Sequence, residues 1–157
     1  MDIIYKEIDS VIEDAIVSQY GSWVHDWNCL VRGEGCCLVA AMDGDTVAGF
    51  AALHSAQWIA PLEQYCDAFI EVIEVNKAYR RQGIGSTLVR MMEDYAKAYG
   101  YYQIRSWSSV DKVEALHMWR KLKYAMCPAA MLGEPVKETD LKQIPGFYYA
   151  KLLNENA

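Results

Sequence analysis

The sequence predicts an α/β domain in which helices pack on a mixed sheet. Three observations carry this. Residues 69–75 (Phe-Ile-Glu-Val-Ile-Glu-Val) are mostly β-branched or aromatic and have the length of one strand. Ile84, Leu88, Met91, Met92 and Tyr95 then recur at the three-and-four spacing of one buried helical face. Across the chain, strand-like and helix-like runs follow in the order strand, two helices, three strands, helix, strand, helix, two strands.

The elements can be justified in turn. Residues 3–8 form a short first strand. Residues 11–20 are apolar at 11, 12, 15, 16 and 17, which predicts a helix. Ser10 is its expected N-cap, with Glu13 completing a capping box, and Gly21 ends it. Trp23, Trp27 and Leu30 predict a second short helix within 22–30, and residues 32–35 a turn. Two apolar runs, 36–42 and 46–53, flank Asp43-Gly44-Asp45, a hairpin signal. Residues 54–66 contain Pro61 and read as an apolar loop that either folds onto the core or lines a pocket. After the central strand and helix, Gly100 is the expected stop, and 101–108 form a strand. Asp111 with Glu114 is expected to cap a helix whose inward face is Ala115, Trp119 and Leu122. Residues 124–131 and 147–153 read as the last two strands, joined by a long polar connection.

Between the central strand and its helix lies Arg80-Arg81-Gln82-Gly83-Ile84-Gly85-Ser86. A turn that opens a helix aims several unpaired backbone N–H groups one way, and the helix dipole adds partial positive charge. Such a site suits phosphate. Glycine lets a ligand approach the backbone closely, and two arginines add direct charge. No Gly-Lys-Ser/Thr follows, which excludes a Walker loop. Leu88 stands where a dinucleotide fingerprint needs its third glycine. Taken alone, the G-x-G fits a structural turn as well as a ligand site.

The longer stretch is more specific. Val75, Arg80, Gly83 and Gly85, in the pattern V-x-x-x-x-R-x-x-G-x-G, resemble the acetyl-CoA signature of the GNAT N-acetyltransferases. Glu71 also fits many members. Residues 115–124 resemble the family's A-x-x-L-Y-x-K-L-G-F segment, imperfectly. The strong resemblance covers 69–124. It implies a single domain over 1–157, with a mixed, mostly antiparallel sheet whose fourth and fifth strands splay apart. It implies acetyl-CoA as acyl-donor cosubstrate and an amine as acceptor, joined directly in a ternary complex. The pantetheine arm would lie in the gap along Ile73–Val75, and Arg80, Arg81, Gln82, Gly83, Ile84, Gly85 and Ser86 would hold the pyrophosphate. Dimerisation is common in that family.

Acetyl transfer requires the amine to lose a proton, an oxyanion to be stabilised and a thiolate to be protonated. For the base, Glu71 leads and Glu74 is second, both on the strand that would meet the thioester. Alternation puts them on opposite faces unless a bulge intervenes. The backbone N–H near Val75 is the expected oxyanion donor. The chain departs from the family at Trp119, where a tyrosine is usual. An indole N–H donates a hydrogen bond but cannot act as an acid near neutral pH. Trp119 is therefore read as an aromatic walling the cofactor cleft, and water, Ser108, Tyr148 or Tyr149 as the proton source. The segment's usual glycine is Lys123 here, and a left-handed lysine costs roughly 1 kcal/mol, so a different helix ending is open.

Composition sets outer bounds. The chain has 157 residues, 53% apolar, enough for one domain with a sizeable core. No apolar run approaches a membrane span, and the N-terminus lacks a signal-peptide pattern, so a cytoplasmic protein is expected. Five cysteines without a C-x-x-C, and three isolated histidines, suggest neither a disulfide framework nor a metal site. The net charge of −6 is divided unevenly: residues 1–75 carry −11 and residues 76–157 carry +5. The acidic total argues against a nucleic-acid binder. The acidic half favours a small cationic acceptor. Two other readings stay open: an acyltransferase using a longer donor or a peptide or protein amine, and a CoA-binding sensor or partner module with weak or no catalysis.

Overall fold

The computed structural model describes residues 2–58, 60–132 and 143–153. Seven strands among them form one sheet: β1 (Ile4–Glu7), β2 (Cys37–Asp43), β3 (Thr46–Gln57), β4 (Cys66–Val75), β5 (Gln103–Ser109), β6 (Ala125–Leu132) and β7 (Gln143–Leu152). The helices are α1 (Ser10–Tyr20), α2 (Trp23–Asp26), α3 (Ile84–Tyr99) and α4 (Val113–Lys121). The strand order is β1-β2-β3-β4-β5-β7-β6. Only β4 and β5 pair in parallel; the other neighbours are antiparallel. The mixed, mostly antiparallel sheet flanked by helices is therefore as the sequence predicts.

Two apolar layers hold the sheet. On one face, Ile84, Leu88 and Met92 of α3 and Trp119 of α4 pack on Leu53, Ile70, Ile104 and Tyr149. On the other, Ile12, Ile16 and Val24 of α1 and α2 pack on Leu38, Phe50 and Val72. Each fully buried large apolar side chain contributes about 1.5–3 kcal/mol. No described residue of β5, β6 or β7 joins the second layer. The α1/α2 layer thus covers only the β1–β4 half, and the opposite half of that face stays open.

Several local expectations are corrected. Asp9, not Ser10, caps α1: its extended backbone (φ −89°, ψ −176°) places Oδ1 2.9 Å from the Ile12 amide, while Ser10 is already helical. Glu13 makes no capping box and instead meets Arg32 and His25. The second helix is a single turn. Asp111 does not cap α4; it accepts from the Ser109 hydroxyl, and the cap position falls to Lys112, whose side chain makes no capping bond. β3 runs past Leu53, because His54–Gln57 pair with Phe69–Cys66, so the expected loop shrinks to 58–65. β7 starts at Gln143, and the rest of the predicted polar connection, 133–142, lies outside the described residues. Finally, α4 ends as a glycine-capped helix would. Lys123 adopts φ +63°, and the Tyr124 amide bonds the Trp119 carbonyl at 3.1 Å.

Candidate active site

The site begins with a bulge. Ala52 pairs with Val72 and Leu53 with Ile70, so Glu71 has no partner on β3. At the same level β4 and β5 part: their parallel pairing covers only Ala68–Ile70 with Ile104–Ser106. β5 continues by pairing with β7 as far as Ser109. Residues 71–75 and 107–109 therefore flank an open V. Unpaired backbone groups along such an edge need partners, and an extended polar ligand can supply them. At the fork the Ser106 hydroxyl donates to the Ile70 carbonyl at 3.0 Å.

The bulge also decides which way the carboxylates face. Before it, Ala68 and Ile70 point into the α3/α4 core; after it, Ile73 and Val75 do, and Val72 points into the α1/α2 core. Glu71 and Glu74 both fall on the α1/α2 side, where their charges raise Cys29 and Tyr20 respectively, in each case behind burial as the main cause. Strict alternation would have separated them.

Glu71 is not alone. His54 on β3 places Nε2 2.9 Å from Glu71 Oε2. Its Nδ1 lies 3.0 Å from the Ser55 carbonyl. Both ring nitrogens face acceptors, so the imidazolium is the form that satisfies both. The bond to Glu71 raises the His54 pKa against the opposing effect of burial. Glu74 has a looser partner, Lys112 Nζ at 3.7 Å.

Beside this pair, His54, Phe69 and Arg105 form one row across β3, β4 and β5. The Arg105 guanidinium lies 6.0 Å from the Phe69 ring centroid and 5.9 Å from that of Trp58. Arg105 Nε approaches the fully buried Asp67 at 2.6 Å, but out of line for a hydrogen bond; Gln103 Nε2 supplies that bond at 2.7 Å. A recess of ≈ 290 Å³ continues over the uncovered half of the sheet, walled by Arg105, Cys127, Tyr148 and Ala150 among others.

The turn sits at the open end of the V. A 3-10 turn over Lys77–Tyr79 leads into it, with Asn76 Oδ1 accepting from the Ala78 amide. Arg80 folds back, Nε donating to the Val75 carbonyl at 3.1 Å. Arg81 adopts φ +62° and Gly83 φ +85°. The first helical bond of this end runs from Thr87 N to Gly83 O, so the amides of Ile84, Gly85 and Ser86 precede it. A Cβ on Gly83 would meet nothing within 4 Å, whereas one on Gly85 would lie 3.1 Å from Met118 Sδ. Gly83 therefore opens on free space, and Gly85 lets α3 approach α4. Gln82 is exposed and reaches only the Ala78 carbonyl, at 3.4 Å.

Trp119 is completely buried, stacked on Tyr149 (centroids 5.0 Å) and edge-on to Tyr124 (4.7 Å). Among the described residues, its indole Nε1 and the Tyr149 hydroxyl have no hydrogen-bond partner.

Much of the acidic half is occupied elsewhere: Asp9 in a cap, Glu13 with Arg32, Asp43 with the Tyr79 hydroxyl, Glu34 with the Tyr99 hydroxyl. Sequence reasoning missed His54, Ser106 and Gly49. At Gly49 a Cβ would come within 2.8 Å of the Glu74 carbonyl, so β3 can approach β4 only with glycine there. Only the hairpin alternation, continued past Leu53, could have placed His54 opposite the central strand.

Among the described residues no group of three or more His, Cys, Asp or Glu side chains could hold a metal. No described helix is long and apolar enough to cross a membrane.

Residues 4–124 match the model of the acetyltransferase (GNAT) family. Streptothricin acetyltransferase from Streptomyces lavendulae is 37% identical over 92 residues, 57% of this chain and 44% of that protein. The chain spans under half the length of the curated relatives it matches. Among solved structures, an N-acetyltransferase from Staphylococcus aureus Mu50 superposes with a TM-score of 0.74 at 16% identity, covering 98% of this chain and 100% of that one. Arabidopsis thaliana NAA60 in complex with acetyl-CoA gives 0.68 at 12% identity, covering 96% and 98%. At such identities these two show a shared fold.

Proposed function

Because the chain belongs to the GNAT acetyltransferase family, we propose that it moves the acetyl group of acetyl-CoA to a primary amine by direct attack in a ternary complex. One observation carries the reading: the β4–β5 gap ends at the amide-rich turn of α3, and both β4 carboxylates lie on the sheet's other side. The turn residues 80–86 hold the pyrophosphate through backbone amides and the Arg80 and Arg81 charges. The Ile73–Val75 backbone binds the pantetheine arm, and Trp119 walls the cleft from below. When bound, acetyl-CoA supplies the activated acyl group.

The chain's own residues supply the rest. His54 fixes Glu71 Oε2 and leaves Oε1 for the amine or an intervening water. Glu71 takes the amine proton, and Glu74 adds a second negative charge on the same side. The Val75 N–H faces the oxyanion. Two carboxylates on the acceptor side favour a small cationic amine, and the relative named for streptothricin supports a small-molecule acceptor. The five described cysteines are all free thiols, in keeping with a cytoplasmic enzyme.

Thiol release from acetyl-CoA, measured with polyamines, aminoglycosides, amino acids and peptides, tests this. The expected result is release that depends on a small amine carrying more than one positive charge. Release with peptides alone would move the acceptor to a protein amine. CoA binding without release to any acceptor would make the chain a binding module, the reading that the buried Trp119 favours.

A further inference from the structure

A leaving thiolate needs a proton, and Trp119 has none to give near neutral pH. The hydroxyl of Tyr149 is a candidate that nothing else in the described structure employs. It is fully buried and has no hydrogen-bond partner among the described residues. Leaving such a group unpaired costs about 1–3 kcal/mol. Its placement gives that cost a purpose. Ile70, Ser106 and Tyr149 form one row across β4, β5 and β7, the last row in which β4 and β5 pair. Tyr149 and Ser108 lie on the cofactor side of the sheet, the side of Trp119. Ser108 is half-buried and two residues further along β5, in the segment β4 no longer pairs. Ser108 pairs with Phe147 and Tyr149 with Ser106, so the two side chains are diagonal neighbours on one face of the β5–β7 ladder. In keeping with that, burial pushes the Tyr149 phenol up, and the Ser108 hydroxyl and the Arg120 charge pull it back. Gly146 keeps β7 tight against β5 here, since a Cβ there would overlap the Ser108 carbonyl and the Trp107 ring.

We infer that Ser108 and Tyr149 form the proton-donating pair for the departing thiolate, Ser108 touching the sulfur and Tyr149 resupplying Ser108. The inference rests on the acetyl-transfer reading above. As the carbon–sulfur bond breaks, its electron pair stays on sulfur. The Ser108 Oγ proton passes to sulfur, and the Tyr149 hydroxyl proton passes to Ser108 Oγ. The Tyr149 phenolate regains a proton from water when the cleft opens. The amine's proton leaves separately through Glu71, so the products are the amide and the free thiol. Tyr149 thus acts through Ser108 and is a positioning and resupplying residue.

Tyr149→Phe, Ser108→Ala and the double variant test it by three measurements. The first is turnover: each single variant lowers kcat by about 10²-fold, the low end for general-acid assistance, with the KM for acetyl-CoA unchanged. The double variant is no slower than the slower single one, because the two groups act as a unit. The second is a pH titration of the thiol of CoA bound to each protein, read by thiolate absorbance. Losing the Ser108 hydrogen bond to the thiolate moves that titration up by about one pH unit in Ser108→Ala, and losing the Tyr149 hydroxyl behind Ser108 moves it up by a smaller amount in Tyr149→Phe. The third is thermal unfolding, in which Tyr149→Phe is no less stable than wild type because the deleted hydroxyl had no partner. Wild-type kcat and an unmoved thiol titration in Tyr149→Phe overturn the inference, as does a kcat loss that merely follows a fall in stability. If the wild type turns over no acceptor, the acetyl-transfer reading fails while the thiol titration still decides the role of the pair. If CoA does not bind, both fall.

Discussion

At the scale of single residues, the proposed acceptor chemistry rests on Glu71 and its partner His54. A carboxylate on the fourth strand was legible from the sequence, because it sits just before the glycine turn. Its histidine partner was not. Residues 54–57 (His-Ser-Ala-Gln) have weak strand preference, and they become strand only because Phe69–Cys66 pair with them. Replacing Glu71 by Gln keeps the size and removes the base. It should lower kcat by about 10²-fold or more below the pH at which the amine ionises, and progressively less above it, which a pH–rate profile reads. His54 makes a separate prediction about stability. Its folded pKa is raised, chiefly by the bond to Glu71. The stabilisation is therefore fully present below the unfolded value of about 6.5 and is lost as pH rises through the folded pKa. Melting temperatures across this window should fall with pH in the wild type and show a smaller fall in His54→Asn.

At the scale of elements, the sequence located strands and helices but misplaced their ends. The reason is the same at α1 and α4. Neighbouring residues can each offer an oxygen to the first turn, and backbone conformation selects among them. Asp9 is extended and Ser10 is not, so Asp9 caps α1. At α4 the Ser109 hydroxyl engages Asp111, and no side chain caps the helix. The C-terminal end of α4 shows the opposite case. Packing of Trp119 and Tyr124 in the core holds the chain to a glycine-like ending although the residue is lysine. A left-handed non-glycine residue costs about 1–2 kcal/mol, partly offset by the greater freedom of glycine when unfolded. Lys123→Gly should therefore raise stability to denaturant by about 0.5–1 kcal/mol with no change in turnover. An unchanged or lowered midpoint would show that the lysine side chain contributes there.

At the scale of the whole molecule, the bulge at Glu71 and the parting of β4 from β5 coincide, and the proposed site uses both. The bulge turns Glu71 and Glu74 to one side, and the parting leaves backbone for a ligand between the helical layers. The family resemblance implied the parting of the two strands, but the residues alone could not place the bulge. The bulge comes from a two-against-one register between β3 and β4, a property of pairing and not of local composition. The charge asymmetry was legible as a sum but misleading as a map, since Asp9 is held in a helix cap, Glu13 in an ion pair with Arg32 and Asp43 by the Tyr79 hydroxyl. What the sequence did mark, and what the whole account depends on, is the turn from Arg80 to Ser86. Calorimetric titration of CoA into the wild type and into Gly83→Ala tests it most directly. Gly83 has φ +85° and open space where a Cβ would stand, so alanine would intrude on the proposed phosphate site at a folding cost of about 1–2 kcal/mol. The wild type should bind one CoA per chain, and Gly83→Ala, still folded by circular dichroism, should bind at least tenfold more weakly, about 1.4 kcal/mol. Equal affinities in the two proteins would contradict the account.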